Sequence, residues 1–268
     1  MIIQEIIHII ENFAPLALQE KWDNSGLQIG DTQSEVTGVV MALDVTDRVV
    51  DSAIANHSNL IITHHPMFFE GVKNILPTTS VGKIIYRAIQ NNITIYSSHT
   101  PTDSTHGGIN DFLAHLLGLV EIEPLEKSPF DPTCGMGRVG NLPISMSTEA
   151  FNKLLYYKLA LTTLPNNAHK KNDTVRRVAL CGGSGASLIT TAIEAGADTF
   201  VCGDLKYHDF QRTDNTLALY DVGHYGSEIC FVDIIQKVLE KEILEISKKV
   251  CTFALRSVKD NFISYYGH

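Results

Sequence analysis

At 268 residues with 44% hydrophobic content, the chain is long enough to bury a substantial core, as one large domain or as two similar lobes. A net charge of -9, with no basic cluster longer than HKK or RR, excludes nucleic acid as an expected partner, because phosphate backbones need a basic face. No apolar stretch reaches membrane-spanning length, and Cys134, Cys181, Cys202, Cys230 and Cys251 are odd in number and lack CxxC spacing, which excludes a disulfide framework and predicts reduced core thiols in a cytoplasmic protein.

The opening MIIQEIIHIIENF is apolar but carries Glu5 and Glu11 and no basic leader, which predicts an amphipathic helix rather than a signal peptide. Strand TGVVMALDV (37 to 45) leads to a helix near 47 to 56, then NLIITHH, a helix near 80 to 91, NITIYSSH, and a helix from about 108 to 117. Residues 121 to 175, rich in Pro, Asn and Lys, hold one short strand in GMGRVGNLPI and one helix in TEAFNKLLYYKL, and read as a connector. The scheme then repeats: RRVALCGG (176 to 183), a helix at about 186 to 195, DTFVCGD, TLALYDVGH, a helix near 226 to 241 and a closing strand, VCTFALRS. This alternation predicts an α/β fold of two similar α/β lobes, 1–120 and 176–268, facing each other across a cleft and joined by the connector 121–175. Ligands then belong at the carboxyl ends of strands.

Those strand ends carry the chemistry. His64 and His65 close the run LIIT, His99 precedes Asp103 by four residues, and His224 precedes Glu228 by four. Imidazole with carboxylate suits zinc, manganese or iron. Successive side chains on a strand point to opposite faces, so His64 and His65 reach one cavity only where the strand gives way, most naturally one per ion, and two ions are expected. A helix starting near Tyr225 or Gly226 puts His224 and Glu228 on one face. Pro101 disfavours a helix, so His99 and Asp103 are expected to converge through a turn.

ITHHP (62 to 66), SSHTPTD (97 to 103) with GGIND (107 to 111), CGGSG (181 to 185), GADTFVCGDLKYHD (196 to 209) and DVGHYGSE (221 to 228), with WDNSGLQIG (22 to 30) near the start, resemble in order the GTP cyclohydrolase 1 type 2 homologue family, also called NIF-three-like proteins. The resemblance covers nearly the whole chain. It implies the NIF-three-like fold, without the extra domain that some relatives insert between the lobes. It implies a dinuclear metal centre built from His64, His65, Asp103, His224 and Glu228, and a toroidal homohexamer assembled as a trimer of dimers. PMFFEGV (66 to 72), with Phe68 and Phe69 after the histidine pair, is the candidate for apolar surface that such a ring would cover.

The remaining motifs keep alternatives open. His99 is a ligand or a donor holding a carboxylate, and His208 is a proton shuttle, a substrate contact or a satisfied loop histidine; these two are the catalytic candidates. The amides of CGGSG are candidates to hold phosphate, or its glycines serve only a tight turn. Trp22, Asp23 and Asn24 wall the cleft, or the tryptophan packs in a core. The expected activity is metal-assisted hydrolysis of an anionic small molecule, phosphorylated or nucleotide-like, in which two divalent ions acidify water and clamp the substrate. A cyclohydrolase reaction has no separate sign in the residues. The alternative from another class is a metal-binding assembly or regulatory factor without turnover.

Overall fold

Ile3, Ile6, Ile7, Ile9 and Ile10 recur at helical spacing and are all buried along α1 (Ile3–Phe13), while Gln4 and His8 pair on the outer side, so the opening segment is the expected amphipathic helix. The structure is a computed structural model describing residues 1–168, 174–213, 215–247 and 253–262; Cys251 and the first residues of VCTFALRS lie outside them. It divides into two units, Met1–Thr102 with Phe231–Asp260, and Asp103–Cys230 with Asn261–His268.

In the first unit, β1 (Gly26–Ile29), β2 (Gly38–Ala42), β3 (Leu60–Thr63) and β4 (Thr94–Ser97) join the strand Ala254–Val258 in a five-stranded sheet of order β1-β4-β3-β2 and then Ala254–Val258. Every residue of β2, β3 and β4 is buried, as expected for parallel strands covered on both faces. The crossovers are α2 (Asp47–Ala55) and α3 (Ser80–Gln90), and the hydroxyls of Thr46 and Thr79 accept the Val49 and Gly82 amides to start them. Val40, Ile61 and Ile95 of the sheet pack on Val50, Ala53, Ile84 and Ala88 of these helices. The strand expected to close the second half pairs instead in parallel with β2, through Ala254↔Gly38 to Val258↔Ala42. Its half-exposed pattern suits an edge, and its pairing makes β2 an interior strand.

The chain passes between the units along α4 (Thr100–Ser104). The turn expected at Pro101 is therefore a short helix. Pro101 is its second residue, where the amide that proline lacks would have had no helical acceptor, so the residue starts the helix rather than breaking it.

In the second unit, α5 (Ile109–Leu116) precedes a sheet of β5 (Val120–Lys127), β6 (Gly135–Ser147), β7 (Thr174–Ser184), β8 (Thr199–Gly203) and β9 (Ala218–Asp221), in that order. The first three pair antiparallel and the last three parallel. Residues 121 to 175, read from the sequence as a connector, supply most of β5, all of β6 and α6 (Thr148–Leu159) to this unit. Ala179, Cys181, Phe200, Cys202 and Leu219 alternate inward and pack with Leu188 and Ile189 at the start of α7 (Ile189–Glu194). Short helices follow the last two strands, α8 (Tyr207–Arg212) and α9 (His224–Glu228). The fold is thus mixed α/β with two sheets, the first containing four neighbouring parallel strands and the second three. Among the described residues no helix is long and apolar enough to cross a membrane.

Candidate metal centre

In the first unit, β3 ends at Thr63, whose hydroxyl turns onto the His65 carbonyl at 2.9 Å and bends the chain out of the strand. This bend lets consecutive histidines turn the same way. The rings of His64 and His65 lie 4.9 Å apart, His99 from the end of β4 sits 4.9 Å from His64 and 5.5 Å from His65, and one ring nitrogen from each falls within 4.8 Å of the others. The cluster can hold a metal ion. Each ring is oriented through Nδ1: His64 donates to the Ser98 carbonyl (3.2 Å), His65 to Asp44 (2.8 Å) and His99 to Asp23 (2.9 Å). Carbonyls and carboxylates only accept, so Nδ1 carries the proton and Nε2 presents the lone pair that a cation needs.

Asp23 accepts from five donors: the Asn24 and Thr100 amides, the Ser25 and Thr100 hydroxyls, and His99. Its burial works against ionisation, but the bonds from His99, Thr100 and Ser25 prevail and hold the carboxyl far below its ordinary range. The carboxylate accepts from His99 Nδ1 and so fixes the His99 ring.

In the second unit, β9 ends at Asp221 and Gly223, at φ +75, turns the chain into α9. His224 and Glu228 lie one helical turn apart with Nε2 2.9 Å from Oε2, the pairing that the spacing predicts, and His224 Nδ1 donates to Asp204 at 2.7 Å. Glu228 is buried in a recess made by Gly183, where a Cβ would stand 1.9 Å from Glu228 Oε1 and 3.3 Å from His224 Nε2. Asp103, also buried, belongs to this unit at the end of α4. Burial first, then the charges of Asp103, Cys202 and Glu228, push the Cys181 thiol well above its ordinary value, so it stays protonated and is no competing thiolate.

Other expectations meet corrections. The amides of CGGSG are committed internally: Gly182 donates to Asn110 Oδ1 (2.8 Å), Gly183 to Ser227 Oγ (3.0 Å), and Gly185 faces the Cys202 sulfur, so the segment does not cradle phosphate. Trp22 is 60% exposed and stands edge-on to His99 with Phe69 on the same ring, both at 5.6 Å, which removes the core-packing reading of the tryptophan. His208 is exposed on α8, bonded to Gln211 at 3.1 Å, and among the described residues it joins none of the metal-competent groups. Asp44 and Asp204, which hold His65 and His224, follow strands β2 and β8. Asp204 lies inside GADTFVCGDLKYHD, where nothing in the sequence alone ties it to His224, and Asp44 lies in no quoted motif; their shared signal is a carboxylate at the end of the strand neighbouring the histidine's own. A cavity of about 520 Å³ opens beside His224, walled by Leu161, Val222 and Ile229 with Asp204 and Asp221 at its polar edge, and among the described residues no Lys or Arg lines it.

Residues 1–260 match the family described as Duf34/NIF3 (NGG1p interacting factor 3). The chain belongs to the Duf34/NIF3 family. Among its Duf34/NIF3 relatives, a GTP cyclohydrolase 1 type 2 homolog of Clostridium perfringens is 35% identical over 265 residues, 98% of this chain and 99% of that protein. NIF3-like protein 1 of Drosophila melanogaster is 29% identical over 245 residues, 90% of this chain and 82% of its own length. A crystal structure of a Bacillus cereus protein related to NIF3 superposes with a TM-score of 0.90 at 25% identity, covering 100% of this chain and 99% of that one.

Proposed function

We propose that His64, His65, Asp103, His224 and Glu228 serve one dinuclear centre for divalent zinc, manganese or iron, and that the protein is a metal-dependent hydrolase of a phosphorylated or nucleotide-like small molecule. The observation that supports this most is the set of Nδ1 tethers: His64, His65 and His224 each give Nδ1 to an acceptor-only group, which turns Nε2 toward the place of a cation, on His224 beside the Glu228 carboxylate. Three imidazoles, of His64, His65 and His224, with the buried carboxylates of Asp103 and Glu228 form a donor set of nitrogen and oxygen, suited to those three metals. Divalent ions held by these residues would supply Lewis acidity and lower the pKa of a bound water. The chain's own residues do the rest. Ser98, Asp44 and Asp204 orient the imidazoles. His99, with Nδ1–H committed to Asp23, takes up or releases a proton only at Nε2, and His208 is the candidate for a second proton site or a substrate contact. Among the described residues no Lys or Arg lines the cavity beside His224, so the charge to balance an anionic substrate would come from the bound metal.

The second reading is a metal-binding assembly or regulatory factor with no turnover, and the family description favours it by naming an interaction rather than a reaction. A panel of phosphomonoesters, phosphodiesters, nucleotides and cyclic amides, assayed on metal-quantified protein, separates the two. The hydrolase reading expects Asp103→Asn to cut turnover by orders of magnitude and His208→Ala to lower it with metal content unchanged. Equal residual activity in the wild type and Asp103→Asn over the whole panel favours the assembly. We also propose the homohexameric ring, a trimer of dimers, with the exposed apolar stretch from Phe69 to Leu76 among the surfaces it covers.

A further inference from the structure

Asn110 is completely buried near the start of α5, and its side chain makes two bonds that lead to different candidate ligands. Nδ2 donates to the backbone carbonyl of Asp103 at 3.0 Å. Oδ1 accepts the Gly182 amide at 2.8 Å. Gly182 leads directly into Gly183, whose own amide is held by Ser227 Oγ at 3.0 Å and whose missing side chain makes the recess for Glu228; a Cβ at Gly182 would itself stand 3.6 Å from Glu228 Cγ. Asp103 and Glu228 are 125 positions apart in the sequence (228 minus 103), and one amide side chain ties the backbone of the first to the seat of the second.

Its neighbours divide the work. Arg138 spends all five of its N–H groups on Asp111 and on the carbonyls of Gly135, Gly137, Ser104 and Thr105, so the carbonyls after Asp103 are already satisfied without Asn110. What Asn110 adds is the link to Gly182. Only an amide of this length donates at one atom and accepts at another; an ionised carboxylate accepts alone, and alanine does neither.

We propose that Asn110 is a positioning residue of the metal centre, setting the separation between Asp103 and the Glu228 recess. The inference rests on the metal-centre reading above. The test uses the full chain carrying Asn110→Ala or Asn110→Asp, with Asp103→Ala as the variant that lacks a ligand. Zinc affinity is measured by competition with a chromophoric chelator, coordination geometry by the visible absorption of the Co²⁺-substituted protein, and folding by circular dichroism and thermal melting. Folded Asn110→Ala is expected to bind zinc about 10- to 100-fold more weakly, with a displaced Co²⁺ band. Asn110→Asp, which keeps the shape and the acceptor for Gly182, is expected to fold and still displace the band, because it no longer donates to Asp103. A merely structural amide would lower the melting temperature and leave affinity and band at their wild-type values. That outcome overturns the proposal, in Asn110→Asp alone if Asn110→Ala does not fold. Wild-type protein that takes up neither zinc nor Co²⁺ instead removes the metal-centre reading, a separate failure.

Discussion

The space that a side chain at position 183 would fill is taken by the Glu228 carboxylate, and the backbone there stands at φ +62, in the left-handed region. Gly183→Ala is therefore expected to cost about 1 to 2 kcal/mol from the backbone alone, and to displace Glu228 so that metal content falls further than stability does. Elemental analysis beside denaturant unfolding checks both; full metal content in a folded Gly183→Ala would contradict the recess as described. A second residue-scale effect concerns acid. Burial of Asp111 works against its charge, but Arg138 beside it and the Gly107 amide prevail and hold its carboxyl below the ordinary value of 3.8. Its folded pKa is lowered, so its contribution is complete above about pH 4 and is lost as the pH falls further. Asp111→Asn is expected to destabilise the protein by about 3 to 5 kcal/mol at neutral pH, since it leaves Arg138 buried without its counter-charge, and the gap to wild type narrows below pH 4 in urea titrations.

At the scale of elements, the parts of the site that depend on local spacing were legible in the sequence. The four-residue interval from His224 to Glu228 is a turn of α9, and the exit of His64 and His65 from β3 follows from a strand's alternation. Pro101 misled because proline is read as a helix breaker, whereas in the first turn it costs nothing. The strand in GMGRVGNLPI was read without its place in a sheet because Pro124 in the exposed β5 and Pro143 in the exposed second half of β6 imitate a linker, and the partner of Ala254–Val258 was not legible because it lies in a distant segment. The orienting carboxylates were hidden for the same reason. Asp44 lies 21 positions before His65, and Asp204 lies 20 before His224, separations set by a crossover rather than by a motif. Replacing either with alanine is expected to weaken zinc binding about 10- to 100-fold while leaving the fold intact, as measured by chelator competition and circular dichroism. Wild-type affinity in both variants would mean that the rings are held by other contacts. Binding is also expected to weaken below about pH 6, because imidazole coordinates only when neutral at Nε2 and its ordinary pKa is about 6.5.

For the whole molecule, the proposed ring has its own physical motive. Phe69, Val72, Ile75 and Leu76 are each about half exposed in one stretch of chain, apolar surface of the kind that an interface covers. Light scattering is expected to report about six times the 29.6 kDa chain mass, and a sharp monomer peak at micromolar concentration with full metal content would contradict the ring. The proposed dinuclear centre is tested most directly by elemental analysis of the purified chain beside its Glu228→Ala variant. Five ligands over two ions leave each under-coordinated unless one carboxylate is shared, and Glu228, seated against Gly183 and one turn from His224, is the candidate to bridge. Two divalent ions per chain in the wild type, with most of both lost in Glu228→Ala, is the expected result; a single ion that Glu228→Ala leaves in place would contradict it.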